Sequence, residues 1–239
     1  MLFAPQLSNI WYYLQVEDTG DEIEIVGGFN CGIRVEGSAS VTLTREATEA
    51  LRSRNSPIGR RGEFYPDGDE CHFSLERTFL LRGGDPALLP ADYSEYADAE
   101  ALDRLDVDIP LPTPENLELA EDVDGDGEPG IAFQVGGAVA GSRNVVQRDW
   151  NDIFSSPDYP VMQGATDDFT TDFNYDVSES LLSVTGCDFG CGLLEAGSAP
   201  DPDGDHRTRF VRVNPEDVVG TSDVETCFNV QDLIPWEAP

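Results

Sequence analysis

The stretch Ser38-Ala-Ser-Val-Thr-Leu-Thr44 alternates Ala39, Val41 and Leu43 with Ser38, Ser40, Thr42 and Thr44. Successive side chains of an extended strand point to opposite faces, so a period of two marks a strand with one face in a core and the other in water. The same period recurs in "DEIEIV", where Ile23 and Ile25 alternate with Glu22 and Glu24. Similar runs begin at Ile10, Phe29, Cys71, Ile131, Val145 and Phe210. Together they predict a mainly β chain of antiparallel strands, closed as a single β-barrel or stacked as a β-sandwich.

Two short helices interrupt the strand pattern. One follows Thr44 over "REATEALRSR"; the other follows Asp92, whose carboxylate can cap while Glu95 answers from the third position, with Tyr93, Tyr96, Leu102 and Leu105 along one side. Residues 106–130, "DVDIPLPTPENLELAEDVDGDGEPG", are rich in proline and acid and lack periodicity, which predicts a long connection. It either crosses one β-rich domain of residues 1–239 or links two small subdomains, 1–105 and 131–239. The single domain is preferred, because each half alone offers few strong strands.

Charge narrows the function classes. The chain carries 47 acidic against 14 basic residues, a net charge of −33, and no lysine. Such a surface repels phosphate backbones and anionic lipid, which argues against nucleic-acid binding and electrostatic membrane attachment. Hydrophobic residues make up 39% and aromatics 9%, which separates the chain from disordered acidic tails. No run reaches the roughly 18 to 20 apolar residues of a membrane-spanning helix. The first twenty residues lack the basic flank and unbroken apolar core of a signal peptide. Export therefore implies a signal removed ahead of an added Met1, and the alternative is a cytosolic protein.

The cysteines bear on that choice. None of Cys31, Cys71, Cys187, Cys191 and Cys227 has the spacing of a structural zinc site. Cys31 and Cys71 each lie in a strand-like segment, and a cross-strand disulfide between them is expected. The other three supply one more bridge and one leftover thiol. The alternative is that all five are reduced and buried as small hydrophobes.

Asp122-Val-Asp-Gly-Asp-Gly-Glu-Pro-Gly130 places aspartates at alternate positions just before a hydrophobic run. Calcium takes six to eight oxygens at about 2.3 to 2.6 Å, and alternate carboxylates of a tightly turning loop can converge on one point. Asp122, Asp124, Asp126 and Gly127 reproduce the first half of an EF-hand loop, with the Glu128 carbonyl at its seventh position. The second half departs from it: the twelfth position is Phe133, the eighth is Pro129, and the flanks read as coil and strand. The similarity is to the wider group of DxDxDG calcium loops. A second string holds Asp201, Asp203 and Asp205, and a shorter one holds Asp67 and Asp69. The plain alternative for all three is a solvated turn, since Asp and Gly are what β-turns select.

Catalytic signatures are missing from the sequence. His72 sits in an alternating strand and His206 follows the second aspartate string, and no serine or cysteine has an evident base. Two carboxylates about 5 to 9.5 Å apart suffice for glycoside hydrolysis, but the sequence does not single out a pair. Trp11, Trp150 and Trp236 read as core or rim positions.

The strand "CGIRV" from Cys31, the later "CHFSLER" from Cys71, the aspartate loop running into "PGIAFQVGGAVAG", the C-x-x-x-C of 187–191 and the strand "RFVRV" from Arg209 occur together. This ensemble resembles exported β-rich proteins of unknown function from high-GC bacteria. The resemblance implies location and fold class and carries no activity. The expectation is an exported, acidic, calcium-stabilised β-rich module at the cell surface or in the extracellular space, with a protein or glycan partner and no catalytic residues. The alternatives are a secreted hydrolase that cleaves polysaccharide through two carboxylates, and a β-barrel carrier of a small apolar ligand.

Overall fold

The computed structural model describes residues 7–18, 22–36, 39–54, 59–67, 70–137, 139–156, 161–162, 167–195 and 206–234. The strands are β1 Leu7–Asp18, β2 Glu22–Glu36, β3 Ala39–Leu43, β4 Arg61–Asp67, β5 Glu70–Arg82, β6 Ile131–Gly137, β7 Gly141–Phe154, β8 Val161–Met162, β9 Asp168–Thr185 and β10 Arg207–Val211. They form one ten-stranded antiparallel sheet in the order β10-β9-β7-β6-β3-β2-β4-β5-β8, with β1 on β2 and an additional β5–β7 pairing. The fold is mainly β and antiparallel, as the period of two predicts. The sheet is not closed: among the described residues β1, β8 and β10 each pair on one side only, so the barrel alternative is not met. Strands from both sides of 106–130 share this sheet, through the β3–β6 and β5–β7 pairings.

Helix α1, Arg45–Arg54, lies where the sequence places it. Thr44 Oγ1 accepts the Ala47 N–H at 3.0 Å, and Ala47 and Leu51, one helical turn apart, are buried against Ile131, Phe133 and Val145. Val123, from the aspartate loop, packs on the same cluster.

The second expected helix is broken into turns. Asp92 caps a 3-10 turn, Tyr93–Tyr96; Asp98 then captures the Ala101 N–H at 2.8 Å and starts α2, Ala99–Leu102, before α3, Leu105–Asp108. Asp92 caps an amide that a helix starting at Tyr93 leaves open, whereas Asp98 takes the Ala101 N–H that a continuous helix would have bonded to the carbonyl four residues back. The helices α4, Pro215–Val218, and α5, Asp223–Leu233, exceed the two that the sequence predicts. Ser222 Oγ accepts the Glu225 N–H at 3.2 Å, and "SDVE" has the spacing of a capping box; Glu225 bonds Thr221 instead.

Helix α5 also overturns the expected Cys31–Cys71 bridge. Cys31 is bonded to Cys227 on α5, with Cα atoms 4.9 Å apart across 196 positions. Cys71 is a buried free thiol in a different apolar cluster, with Phe73, Ile25 and Leu75, and burial pushes its pKa up. Cys187 and Cys191 form a second disulfide. Two bridges and one leftover thiol are present, with different partners from those expected for the first bridge.

Buried Arg148 and half-buried Arg77, both on the sheet, fasten the irregular segments. Arg148 Nη1 donates to the carbonyls of Leu88 and Ile109, both at 2.8 Å, and Nη2 to Asp106 at 2.6 Å. Arg77 grips Asp152 with two hydrogen bonds, donates to the carbonyls of Tyr96 and Ala97, and stacks on Trp150. Among the described residues no helix is long and apolar enough to cross a membrane.

Candidate metal centre

The loop from Glu121 to Gly130 is closed at its neck by backbone bonds, Gly130 N–H to Glu121 O at 2.8 Å and Val123 N–H to Gly130 O at 3.3 Å. A Cβ at Gly130 would lie 2.8 Å from the Val145 carbonyl oxygen, so only glycine lets the loop enter β6 this close to β7. Inside the neck, Gly125 and Gly127 take positive φ of 73° and 92°, which turns the chain tightly enough for alternate side chains to converge.

The carboxylates themselves order the loop. Asp122 accepts the Gly125 N–H on one oxygen and the Gly127 N–H on the other, at 2.8 and 3.0 Å. Asp126 accepts the Glu128 N–H at 2.8 Å, and Asp124 reaches the Ala132 N–H on β6 at 2.9 Å. The loop is also tied sideways: Asn144 on β7 donates to Asp126 at 3.4 Å, and Ser183 on β9 donates to Glu128 at 3.1 Å. Neither Asn144 nor Ser183 carries a sequence signal for this role.

Asp122, Asp124 and Asp126 each offer an oxygen, and these oxygens all lie within 4.8 Å of one another. The second oxygen of Asp124 is buried with no hydrogen-bond donor. Burial raises the pKa of the Asp124 carboxyl, the charges of Asp126 and Asp122 add to this, and the Ala132 N–H opposes it. Three like charges and an orphaned buried oxygen are what a cation offsets. An all-oxygen set suits a hard cation, not zinc or copper. The group could therefore hold a metal ion.

Other sequence-predicted residues fall elsewhere. Glu128 is expected to act through its carbonyl; its carboxylate is directed to Ser183 and is outside the three-aspartate group. Asp201, Asp203, Asp205 and Asp69 lie outside the described residues, as does Trp236; Asp67 ends β4. Trp11 donates to the Ile234 carbonyl and Trp150 packs beneath Arg77, both structural positions. His72 Nδ1 lies 3.4 Å from Ser155 Oγ, but that oxygen accepts the Phe73 N–H at 2.8 Å while Ser155 N–H bonds Phe73 O, so the serine extends the sheet.

A buried polar chain has no counterpart in the sequence reading. Arg143 bonds Glu179, Glu179 accepts from Gln147, Gln147 accepts from Arg82, and Arg82 pairs with Asp149. Tyr12 from β1 joins at Arg82 and Asn30. Its trace in the sequence is "SRNVVQRDWND", a strand in which charged and amide side chains outnumber the apolar Val145, Val146 and Trp150. Comparison with family models, with curated proteins and with solved structures gives no match.

Proposed function

We propose that this chain is an exported, acidic β-rich interaction or structural module of the cell surface or extracellular space, stabilised by calcium at Asp122, Asp124 and Asp126. The observation that carries the metal half is the convergence of these carboxylates around an orphaned Asp124 oxygen. The disulfides are in keeping with an oxidising compartment, where such bonds form and persist. The resemblance to exported proteins of high-GC bacteria points the same way. A protein or glycan at the surface is the partner class that this reading implies.

Calcium binds the folded loop and not the unfolded chain, so it stabilises by RT ln(1 + [L]/Kd), roughly 2.7 kcal/mol at a hundredfold excess over Kd. Extracellular calcium modules commonly bind at about 10⁻⁴ to 10⁻³ M, and magnesium gives up its water less readily. Millimolar calcium is expected to raise the melting temperature more than equal magnesium. Asp124→Asn with Asp126→Asn removes that increment, and in EDTA the same variant is no less stable than the parent, because like-charge repulsion is relieved. Equal responses to both metals, together with an unchanged calcium response in the variant, would mean a solvated turn.

A further inference from the structure

The two disulfides sit in opposite settings. Cys31 and Cys227 are 4% and 3% exposed, enclosed by Tyr13, Val218 and Val230 with Trp11 and Phe29 against them. Cys187 and Cys191 are only half-buried, in a surface turn beyond β9 that closes over four positions, and Phe189 within it is 85% exposed. Thiol–disulfide exchange requires a thiolate to reach one sulfur in line with the S–S bond, so access decides which of two bridges reacts in the native fold. We propose that Cys187–Cys191 is a redox-addressable modification site, opened by small thiols while Cys31–Cys227 and the fold stay intact.

In the first step a thiolate forms a bond to one sulfur of the bridge, the S–S bond breaks, and the departing sulfur leaves as a thiolate that takes a proton from water. A second thiolate then attacks the sulfur of the small thiol in the mixed disulfide and releases the remaining cysteine. Two electrons pass from two small thiols to the bridge, leaving two cysteine thiols and one small-molecule disulfide. The fold does not depend on this bridge locally. Leu194 is buried, its carbonyl accepts from Arg143 Nε at 2.6 Å, and Arg143 is itself held by Glu179 at 2.6 Å. The downstream side of the turn stays tethered, while residues 187–190 lose their ring closure and with it the fixed presentation of Phe189.

Charge selects among thiols. Asp188 and Glu195 are exposed beside the bridge, on a chain of net charge −33. A thiolate that carries carboxylates is repelled, and one that carries an ammonium group is not. The test treats the native protein with cysteamine or with glutathione at matched thiolate concentration, quenches with iodoacetamide and maps the alkylated cysteines by peptide mass. Cys187 and Cys191 are expected to be labelled on the order of tenfold or more faster than Cys31 and Cys227, with the circular dichroism unchanged. Cysteamine is expected to outpace glutathione by a margin that shrinks in molar sodium chloride. Simultaneous opening of both bridges, earlier opening of Cys31–Cys227, or labelling of Cys187 and Cys191 only on unfolding overturns the proposal. Equal rates for the two thiols at low salt overturn the charge selection.

Discussion

Replacing Cys31 and Cys227 together by alanine removes a cross-link that joins β2 to α5 across 196 positions. Loop-closure entropy of the unfolded chain rises as 2.1 + 1.5R ln n cal/mol/K, which at this separation is about 5 kcal/mol near 25 °C. The same expression gives about 2 kcal/mol for Cys187 and Cys191, which are 4 positions apart. Whole domains are stable by only about 5 to 15 kcal/mol, so the first double variant should be marginal and the second should remain folded. Further loss at Cys31 and Cys227 comes from the apolar cluster of Tyr13, Val218 and Val230, which α5 covers. Urea denaturation of the parent and both variants, without reductant and followed by circular dichroism, measures the difference. Equal losses in the two variants, or a loss below about 2 kcal/mol for Cys31→Ala with Cys227→Ala, would refute long-loop entropy as the main contribution of the bridge.

Arg148→Met should cost about 2 to 4 kcal/mol, because the Leu88 and Ile109 carbonyls lose a charged donor without gaining water; a loss under about 0.5 kcal/mol in the same denaturation assay would mean that the segment holds itself. Arg209 donates to both oxygens of Asp168 at 2.9 and 2.8 Å and holds its carboxyl below the usual range. A folded pKa below the unfolded one adds stability above the unfolded value that is lost as pH falls through the folded value, so the small deficit of Arg209→Gln at neutral pH should close in acid titrations. The melting temperature should rise from low to molar sodium chloride as surface repulsion is screened, and a flat profile in calorimetry would point to charges already neutralised locally.

Much of the sheet was legible because each strand records its own two-sidedness. Val41 against Thr42, or Ile23 against Glu24, identifies a strand without reference to any partner. Helix α1 was legible for a similar reason, since Thr44 and the Ala47–Leu51 spacing are local. The aspartate loop was legible as a group of three, with the glycines that bend it, whereas Asn144 and Ser183 meet it only through strand pairing. The Cys31–Cys227 bond was not legible, because its partner lies on a helix whose buried face is set by β2 and not by its own sequence. Strand-like surroundings made Cys71 look like the natural mate of Cys31. The two side chains in fact belong to different apolar clusters, which local periodicity does not distinguish.

The arginines connect the interior to the surface charge. A chain with 47 acids and 14 bases has few cations with which to neutralise its exterior, yet Arg82, Arg143 and Arg148 are buried. Their guanidinium groups hold backbone carbonyls and interior carboxylates, where no long-chain amine could make the same forked contacts. Several remaining pairs are exposed, such as Arg45–Glu49, Arg61–Glu24 and Arg209–Asp168, and exposed pairs contribute little. Arg82 and Arg143 are matched inside by Asp149 and Glu179, so the rest of the chain carries the net charge of −33 without enough arginines of its own to offset it. Cations from solution must do so, diffusely as screening sodium or locally as a dication where three carboxylates already converge. The expected salt and calcium responses thus share one physical origin, and they should separate at Asp124 and Asp126: substituting these residues is expected to remove the calcium increment and to leave the sodium chloride response in place.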